Sequence, residues 1–165
     1  MITINFAARS SHGLSASGLT RFLNRARTSI GLLGAVDVLL TGDSTLRRLN
    51  KSFRGKDKPT DVLSFPAPSE FAASHAGDLA ISLETASVQA KIYGHTLRDE
   101  VRILLLHGLL HLSGEDHETD NGQMAIREAK LRRELRLPAA LIERVEKSAK
   151  PHRTTKSSKP GRGSR

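Results

Sequence analysis

Three of the seven histidines in this 165-residue chain fall within one short string, His107-Gly-Leu-Leu-His111-Leu-Ser-Gly114-Glu-Asp-His117. Residues four apart on a helix share one face, so His107 and His111 can both direct an imidazole nitrogen toward a single ion. Gly114 readily takes the left-handed conformation that ends a helix, and the resulting turn returns His117 as a third ligand. The spacing predicts a metal site, and a Zn–N bond of about 2.0 Å suits that geometry.

Such a site has a definite chemistry. Three neutral ligands leave zinc its full charge and an open position, where the pKa of a bound water falls to about 7, so the arrangement is suited to hydrolysis. A fourth ligand from Glu115, Asp116 or Asp120 would instead close the site into a structural one. The alternative is that His107 and His111 are ordinary polar members of a largely buried helix.

The residue after the first histidine separates two kinds of hydrolase. Zinc proteases with this histidine spacing carry a glutamate there as general base, whereas this chain has Gly108. A peptidase would therefore need its base from Asp61, Asp78, Glu115 or Asp116. Asp116 is an equally good candidate for orienting a ligand imidazole through a hydrogen bond.

The composition narrows the other possibilities. The chain has no cysteine, which excludes disulfides and thiolate metal sites. Its length and 38% hydrophobic residues predict one domain with a core of its own. The residues from Met1 to Arg9 do not resemble a signal peptide, and the longest apolar run, Ile103 to Leu106, is too short to span a membrane. We expect a cytoplasmic protein without a membrane partner.

Positive charge is concentrated at one end. The net charge is +9, and residues 147–165 contain seven Lys or Arg and no acidic residue. This stretch has almost no apolar residues, so it is predicted to be a disordered basic tail following a catalytic domain at 1–146. The tail is either a solubilising appendage or an attractor of nucleic-acid phosphates. Only 4% of the residues are aromatic, so a nucleic acid would be held mainly through its phosphates.

Hydrophobic periodicity predicts a chain that mixes strands and helices. Thr96, with Asp99 three residues later, is typical of a helix N-terminus and predicts that an apolar helix carrying the histidines begins there. The predicted strands are Met1–Phe6, Ala35–Leu40, Asp61–Phe65 and Asp78–Ile81. The predicted helices lie around 19–30, 43–53, 82–93, 97–113, 120–136 and 139–147.

The histidine string and two further motifs together resemble the YbeY family of bacterial rRNA maturation factors, which are zinc-dependent endoribonucleases acting on single-stranded RNA. The upstream motif is LNKSFRGKDKPTDVLSFP at 49–66, and the second is GDLAIS at 77–82. Met124 and Glu128 also stand where the family has such residues in a later helix. The chain departs from the family at Glu115, where an aromatic residue is common, and at Ser113, where a larger apolar or sulfur-containing one is usual.

The resemblance implies an α+β domain with a mixed sheet of about four strands, five or six helices and a zincin-like metal site. It implies one zinc ion on His107, His111 and His117, with catalysis assigned to His107 and Arg54. Arg54 matches a functional arginine of the family, and its guanidinium offers a bidentate donor where negative charge develops on phosphorus.

The implied activity is maturation of the 16S rRNA 3′ end and late-stage quality control of 70S ribosomes. The expected partners are single-stranded rRNA and the ribosome or its proteins, and no DNA. Two alternatives remain at this point: a non-catalytic ribosome-assembly factor with a structural zinc, and a zinc peptidase.

Overall fold

One four-stranded sheet forms the centre of the molecule. The computed structural model describes residues 1–7, 12–139 and 141–149. The strands β1 (Ile2–Phe6), β2 (Ala35–Thr41), β3 (Val62–Pro66) and β4 (His75–Ser82) are arranged in the order β1-β2-β4-β3. β1, β2 and β4 are parallel, and β3 pairs with β4 in antiparallel orientation at one edge. The predicted mixed sheet of four strands is confirmed.

The described residues form six α-helices that pack on this sheet or on one another, which confirms the predicted α+β class. A single 3₁₀ turn, Ser69–Phe71, lies in the loop between β3 and β4. No helix in the described part of the chain is long and apolar enough to cross a membrane. The helices are α1 (Ala16–Ile30), α2 (Asp43–Arg54), α3 (Leu83–Tyr93), α4 (Leu97–Leu112), α5 (Gln123–Glu134) and α6 (Leu141–Ala149).

Helix α6 extends beyond its predicted end. It runs through Ala149, so the first three residues assigned to the basic tail are helical. An ion pair between Glu143 and Lys147, 2.9 Å long and one turn apart, is of the kind that supports such an extension. The rest of the predicted tail, 150–165, lies outside the described residues.

Helix α4 passes through the core and carries two of the three histidines. It begins where predicted, because the Thr96 hydroxyl accepts a hydrogen bond from the backbone N–H of Asp99 at 3.1 Å. Almost every residue from Val101 to Leu112 is buried against the sheet or a neighbouring helix. A fully buried leucine contributes about 1.5–3 kcal/mol, so the many leucines of α4 hold its position firmly.

Helix α2 covers part of the opposite face of the sheet. Leu46 on α2 packs against Leu63 of β3 and Ala80 of β4 in a small second core. At the end of the helix, the ring of Phe53 contacts that of Phe65 edge-on, with centroids 5.0 Å apart. These contacts hold the end of α2 against the sheet and so position Arg54, its last residue, which is exposed.

Candidate metal centre

The three histidines of the string come together in space. Their ligand atoms all lie within 4.8 Å of one another, a grouping that could hold one metal ion. His107 and His111 lie on the last two turns of α4, with their Nε2 atoms 3.1 Å apart. The ring of His117 lies 5.1 Å from that of His107 and 5.3 Å from that of His111. Three imidazoles therefore face a common point.

The turn after α4 brings His117 back toward the helix. Gly114 has φ +94°, in the left-handed region, and its N–H donates to the carbonyl of His111 at 3.0 Å. There is open space where a Cβ would stand at Gly114, so its backbone conformation, rather than crowding, favours glycine here. The chain reverses as the spacing predicted, and His117 lies three residues beyond.

A buried carboxylate supports His107 from behind. Glu128 on α5 is 1% exposed, and its Oε1 lies 2.8 Å from His107 Nδ1. Since a carboxylate only accepts, Nδ1 is the donor, and Nε2 is left unprotonated and directed toward His111. The second oxygen of Glu128 accepts from the backbone N–H of Ile142 at 2.9 Å. Both oxygens are engaged, which holds the imidazole in one orientation.

Glu128 was predicted only as a family-like residue, and Asp116 was the candidate for this orienting role. The signal for Glu128 was present, because it shares its helix face with Met124 and Leu131, both buried. An acidic residue on the apolar face of a helix needs a buried partner. The partner, His107, lies on another helix, so the sequence alone could not identify it.

The three acidic residues proposed as a fourth ligand each have a partner outside the histidine group, although the Oε2 atom of Glu115 is buried without a partner among the described residues. Glu115 forms an ion pair with Arg127. Asp116 accepts a hydrogen bond from the backbone N–H two residues later at 3.1 Å. Asp120 accepts from the backbone N–H of the second residue of α5 at 2.7 Å. These carboxylates order the loop after α4, and the three-histidine group has no fourth member among the described residues.

The surroundings of His111 favour a neutral, metal-binding imidazole. Burial, followed by the charges of His107 and His117, lowers the pKa of His111 below its ordinary value of 6.5, although a backbone hydrogen bond at Glu115 acts in the opposite direction. The Nδ1 atom of His117 is buried and has no hydrogen-bond partner among the described residues. Three imidazoles at close spacing, one of them with an unsatisfied buried nitrogen, form a donor set that fits a divalent metal ion.

The histidines line a cleft of about 880 Å³, and Arg54 lines the same cleft. Arg54 is exposed and forms no ion pair with any residue that the structure describes, so its guanidinium is available to a ligand. Asp61 also lines the cleft, but its carboxylate accepts from its neighbour's backbone N–H at 2.8 Å and from Gln89 at 3.3 Å. Asp78, the other candidate base on a strand, is not among the lining residues and forms an ion pair with His75.

Comparison with known proteins agrees with this geometry. Residues 10–136 match the family described as Endoribonuclease YbeY. The chain belongs to this family. It is 53% identical to the endoribonuclease YbeY of Koribacter versatilis over 84% of this chain and 89% of that protein, and 49% identical to that of Solibacter usitatus over 81% and 88%. A solution structure of a Thermotoga maritima protein matches with a TM-score of 0.58 and 25% identity, covering 99% of this chain and 100% of that one.

Membership of the YbeY family identifies the chain as a nuclease acting on RNA, and Gly108 gives a structural reason why the site differs from that of a zinc protease. A Cβ at Gly108 would lie 2.7 Å from the side chain of Leu79 and 3.3 Å from the hydroxyl of Ser64. The protease glutamate would therefore collide with β3 and β4. In this protein the position after His107 is a close contact between helix and sheet.

Proposed function

We propose that the protein is a zinc-dependent endoribonuclease that cleaves single-stranded RNA in the 880 Å³ cleft, with one zinc ion held by His107, His111 and His117. The observation that supports this best is the position of Arg54 in the same cleft as three imidazoles whose ligand atoms lie within 4.8 Å of one another. A cation site beside an available guanidinium suits a phosphodiester, which is an anion at rest and gains negative charge during cleavage.

The residues of the cleft would have separate roles in the cleavage reaction. Zinc, when bound, would supply Lewis-acid chemistry at the phosphodiester and help to deprotonate the attacking group. The hydrogen bond to Glu128 would hold the His107 imidazole in a single orientation toward the ion. Arg54 binds a non-bridging phosphate oxygen pair and offsets the charge that develops on phosphorus, a task that suits its planar fork better than a lysine.

The decisive experiment is cleavage of an rRNA fragment that carries a single-stranded 3′ extension by purified, metal-analysed protein. We expect cleavage within the extension, loss of cleavage with a chelator and recovery on addition of zinc. The same extension annealed to a complementary strand should resist cleavage. Absence of bound metal together with intact RNA would contradict the proposal.

The product ends identify the nucleophile. A 2′,3′-cyclic phosphate indicates attack by the ribose 2′-OH, and a 3′-hydroxyl end indicates attack by water. His111→Ala protein serves as the control, because an end that persists in this variant derives from a contaminating nuclease.

In the cell, we propose a cytoplasmic role in 16S rRNA 3′-end maturation and in late-stage 70S ribosome quality control, with the ribosome or its proteins as partners. Family membership supports this assignment. Cells depleted of the protein should accumulate 16S rRNA with an extended 3′ end. Restoration by the wild-type protein but not by His111→Ala supports catalysis, whereas restoration by both indicates an assembly factor whose role does not depend on metal-dependent cleavage.

The basic tail would add sequence-independent affinity for RNA to the domain at 1–146. Residues 150–165 contain six Lys or Arg and no acidic residue. Deleting them should weaken RNA binding and flatten its salt dependence, because each contact with a single-stranded phosphate contributes about −0.7 to the slope of log K against log salt. An unchanged slope in a filter-binding titration would show that the tail does not take part in RNA binding.

A further inference from the structure

Helix α6 forms one wall of the catalytic cleft through Leu141, Ile142 and Val145. It begins at residue 141, beyond the segment 10–136 that matches the family. The helix also carries Arg144, a basic residue that is only 6% exposed. A buried arginine on a nine-residue helix calls for a physical explanation.

Arg144 attaches α6 to the centre of the protein. Its guanidinium donates to both oxygens of Glu100, at 2.5 and 2.8 Å, and Glu100 on α4 is fully buried. The same guanidinium donates to Gln89 on α3 at 3.2 Å and lies 4.4 Å from the ring centroid of Tyr93. The Nε2 atom of His95 forms a further hydrogen bond with Oε2 of Glu100, at 2.5 Å. The bidentate geometry defines both the position and the rotation of α6.

The start of the same helix touches the carboxylate behind the metal centre. Ile142 is the second residue of α6, so its N–H has no acceptor within the helix. It donates instead to Oε2 of Glu128, at 2.9 Å, while Oε1 of Glu128 lies 2.8 Å from His107 Nδ1. One carboxylate thus joins the N-terminus of α6 to a histidine of the cluster.

We infer that α6 holds the ligands of the metal centre in their binding orientation and that Arg144 is a positioning residue for this centre. This inference rests on the proposed role of His107 as a metal ligand. Docking by Arg144 keeps the Ile142 N–H on Glu128, and Glu128 then keeps the Nε2 atom of His107 directed at the ion. Both oxygens of Glu128 are buried, so withdrawal of one donor leaves a carboxylate oxygen unsatisfied and the side chain free to turn away from the imidazole.

The test compares two substitutions at one position. Ile142→Pro removes the N–H, and proline is tolerated in the first turn of a helix. Ile142→Ala keeps the N–H and removes most of the side chain, so it controls for lost packing. We expect Ile142→Pro to weaken zinc affinity about 10–100-fold in chelator competition, the range typical of lost support behind a ligand. The alanine variant should stay within about threefold of wild type, and the Co²⁺ absorption spectrum should change only in the proline variant.

A second measurement reads the same contact without metal. The His107 Nδ1–H proton should give a resolved, exchange-protected NMR signal in the metal-free wild type and in Ile142→Ala. It should be lost in Ile142→Pro and in Arg144→Gln. This NMR measurement needs no metal. A protein that binds no zinc would contradict the proposed function, while the His107 signal would still test whether α6 holds Glu128 in place.

Folding is checked by circular dichroism and thermal unfolding of the full chain. If Arg144→Gln does not fold, Arg144→Lys replaces it, because lysine keeps the charge but not the bidentate fork; we expect it to broaden the His107 signal. Folded Ile142→Pro and Arg144 variants that keep both the wild-type zinc affinity and the wild-type His107 signal would overturn the inference.

Discussion

Two groups of three side chains in the described residues have ligand atoms within 4.8 Å of one another, and their surroundings differ. The histidine cluster lies in a cleft at the end of a buried helix, with a buried glutamate behind it. The strand cluster lies on β2 and β4, where its His75 and Asp78 side chains are 35% and 56% exposed. The histidine cluster comprises His107, His111 and His117, and the strand cluster comprises Asp37, His75 and Asp78.

The strand cluster arises from sheet register alone. Asp37 pairs directly with Asp78 across the parallel strands, and His75 lies 3.3 Å from Asp78 as an ion-pair partner. The strand cluster therefore combines two carboxylates and one imidazole on an open surface. The histidine cluster instead has three imidazoles, a supporting carboxylate and an arginine in the same cleft. Short distances between ligand atoms are therefore a weaker indication of a metal centre than the groups that surround them.

The largest expected difference between the clusters concerns their ligands. His111→Ala should abolish zinc binding and lower RNA cleavage about 10³-fold or more, since a Lewis acid contributes several kcal/mol to such a reaction. His75→Ala should keep one zinc per chain and activity within about twofold of wild type. Elemental analysis and a cleavage assay measure both. Equal losses in the two variants would remove the distinction between the clusters.

The next effect concerns Arg54, which lines the cleft of the histidine cluster. Arg54→Ala should lower kcat about 10²–10³-fold, as removal of a donor to a developing oxyanion does, while zinc affinity is unchanged. Arg54→Lys should recover only part of the rate, because an ammonium lacks the bidentate fork. Arg48→Ala is the matched control, since Arg48 is exposed on the same helix but does not line the cleft. A comparable loss in that variant would reduce the role of Arg54 to general attraction of RNA.

A smaller effect is expected from the carboxylate behind the ligands. Glu128→Gln should weaken zinc affinity about 10–100-fold, because the amide is a poorer acceptor for the His107 N–H. Asp78→Asn provides the comparison in the strand cluster and should leave zinc affinity unchanged. Chelator competition gives both values. Unchanged affinity in Glu128→Gln would mean that the spacing of the three histidines suffices without this support.

The smallest effect is a pH dependence of the metal-free protein. The pKa of His111 is lowered mainly by burial, so the unfolded chain binds a proton at higher pH than the folded one. Stability should therefore fall as the pH decreases below about 6.5, the ordinary value, and through the lowered folded pKa. Asp116 also has a lowered pKa, chiefly from a backbone hydrogen bond, but its stabilisation is lost only below its ordinary 3.8.

Thermal unfolding of chelator-treated protein at pH 7.5 and 5.5 measures this dependence. His111→Gln should show a smaller decrease in Tm between the two pH values than wild type does. An equal or larger decrease in the variant would assign the pH dependence to other groups.

Much of the histidine cluster was predictable because its information is local. The cap at Thr96, the four-residue spacing of His107 and His111, and the turn at Gly114 involve neighbours in the chain. Helical geometry converts such spacings directly into positions. The element order of the fold was likewise readable from hydrophobic periodicity.

The strand order depended on tertiary pairing. β2 pairs with β4, and β3 is placed at the edge beyond β4 in antiparallel orientation. The same pairing placed Asp78 beside His75 and left it outside the cleft. A candidate base on a strand cannot be assigned to a site before its neighbours in the sheet are known.

By itself, the sequence determined the family, the α+β class and the three histidines that approach one another, because these follow from motifs and from contacts between residues close in the chain. Only the tertiary structure decided which groups surround them. Glu128 meets His107 across 21 positions, and Arg144 meets Glu100 across 44. Such pairs depend on how separate helices pack, because each buried carboxylate is satisfied only when that packing brings its donor within hydrogen-bond distance.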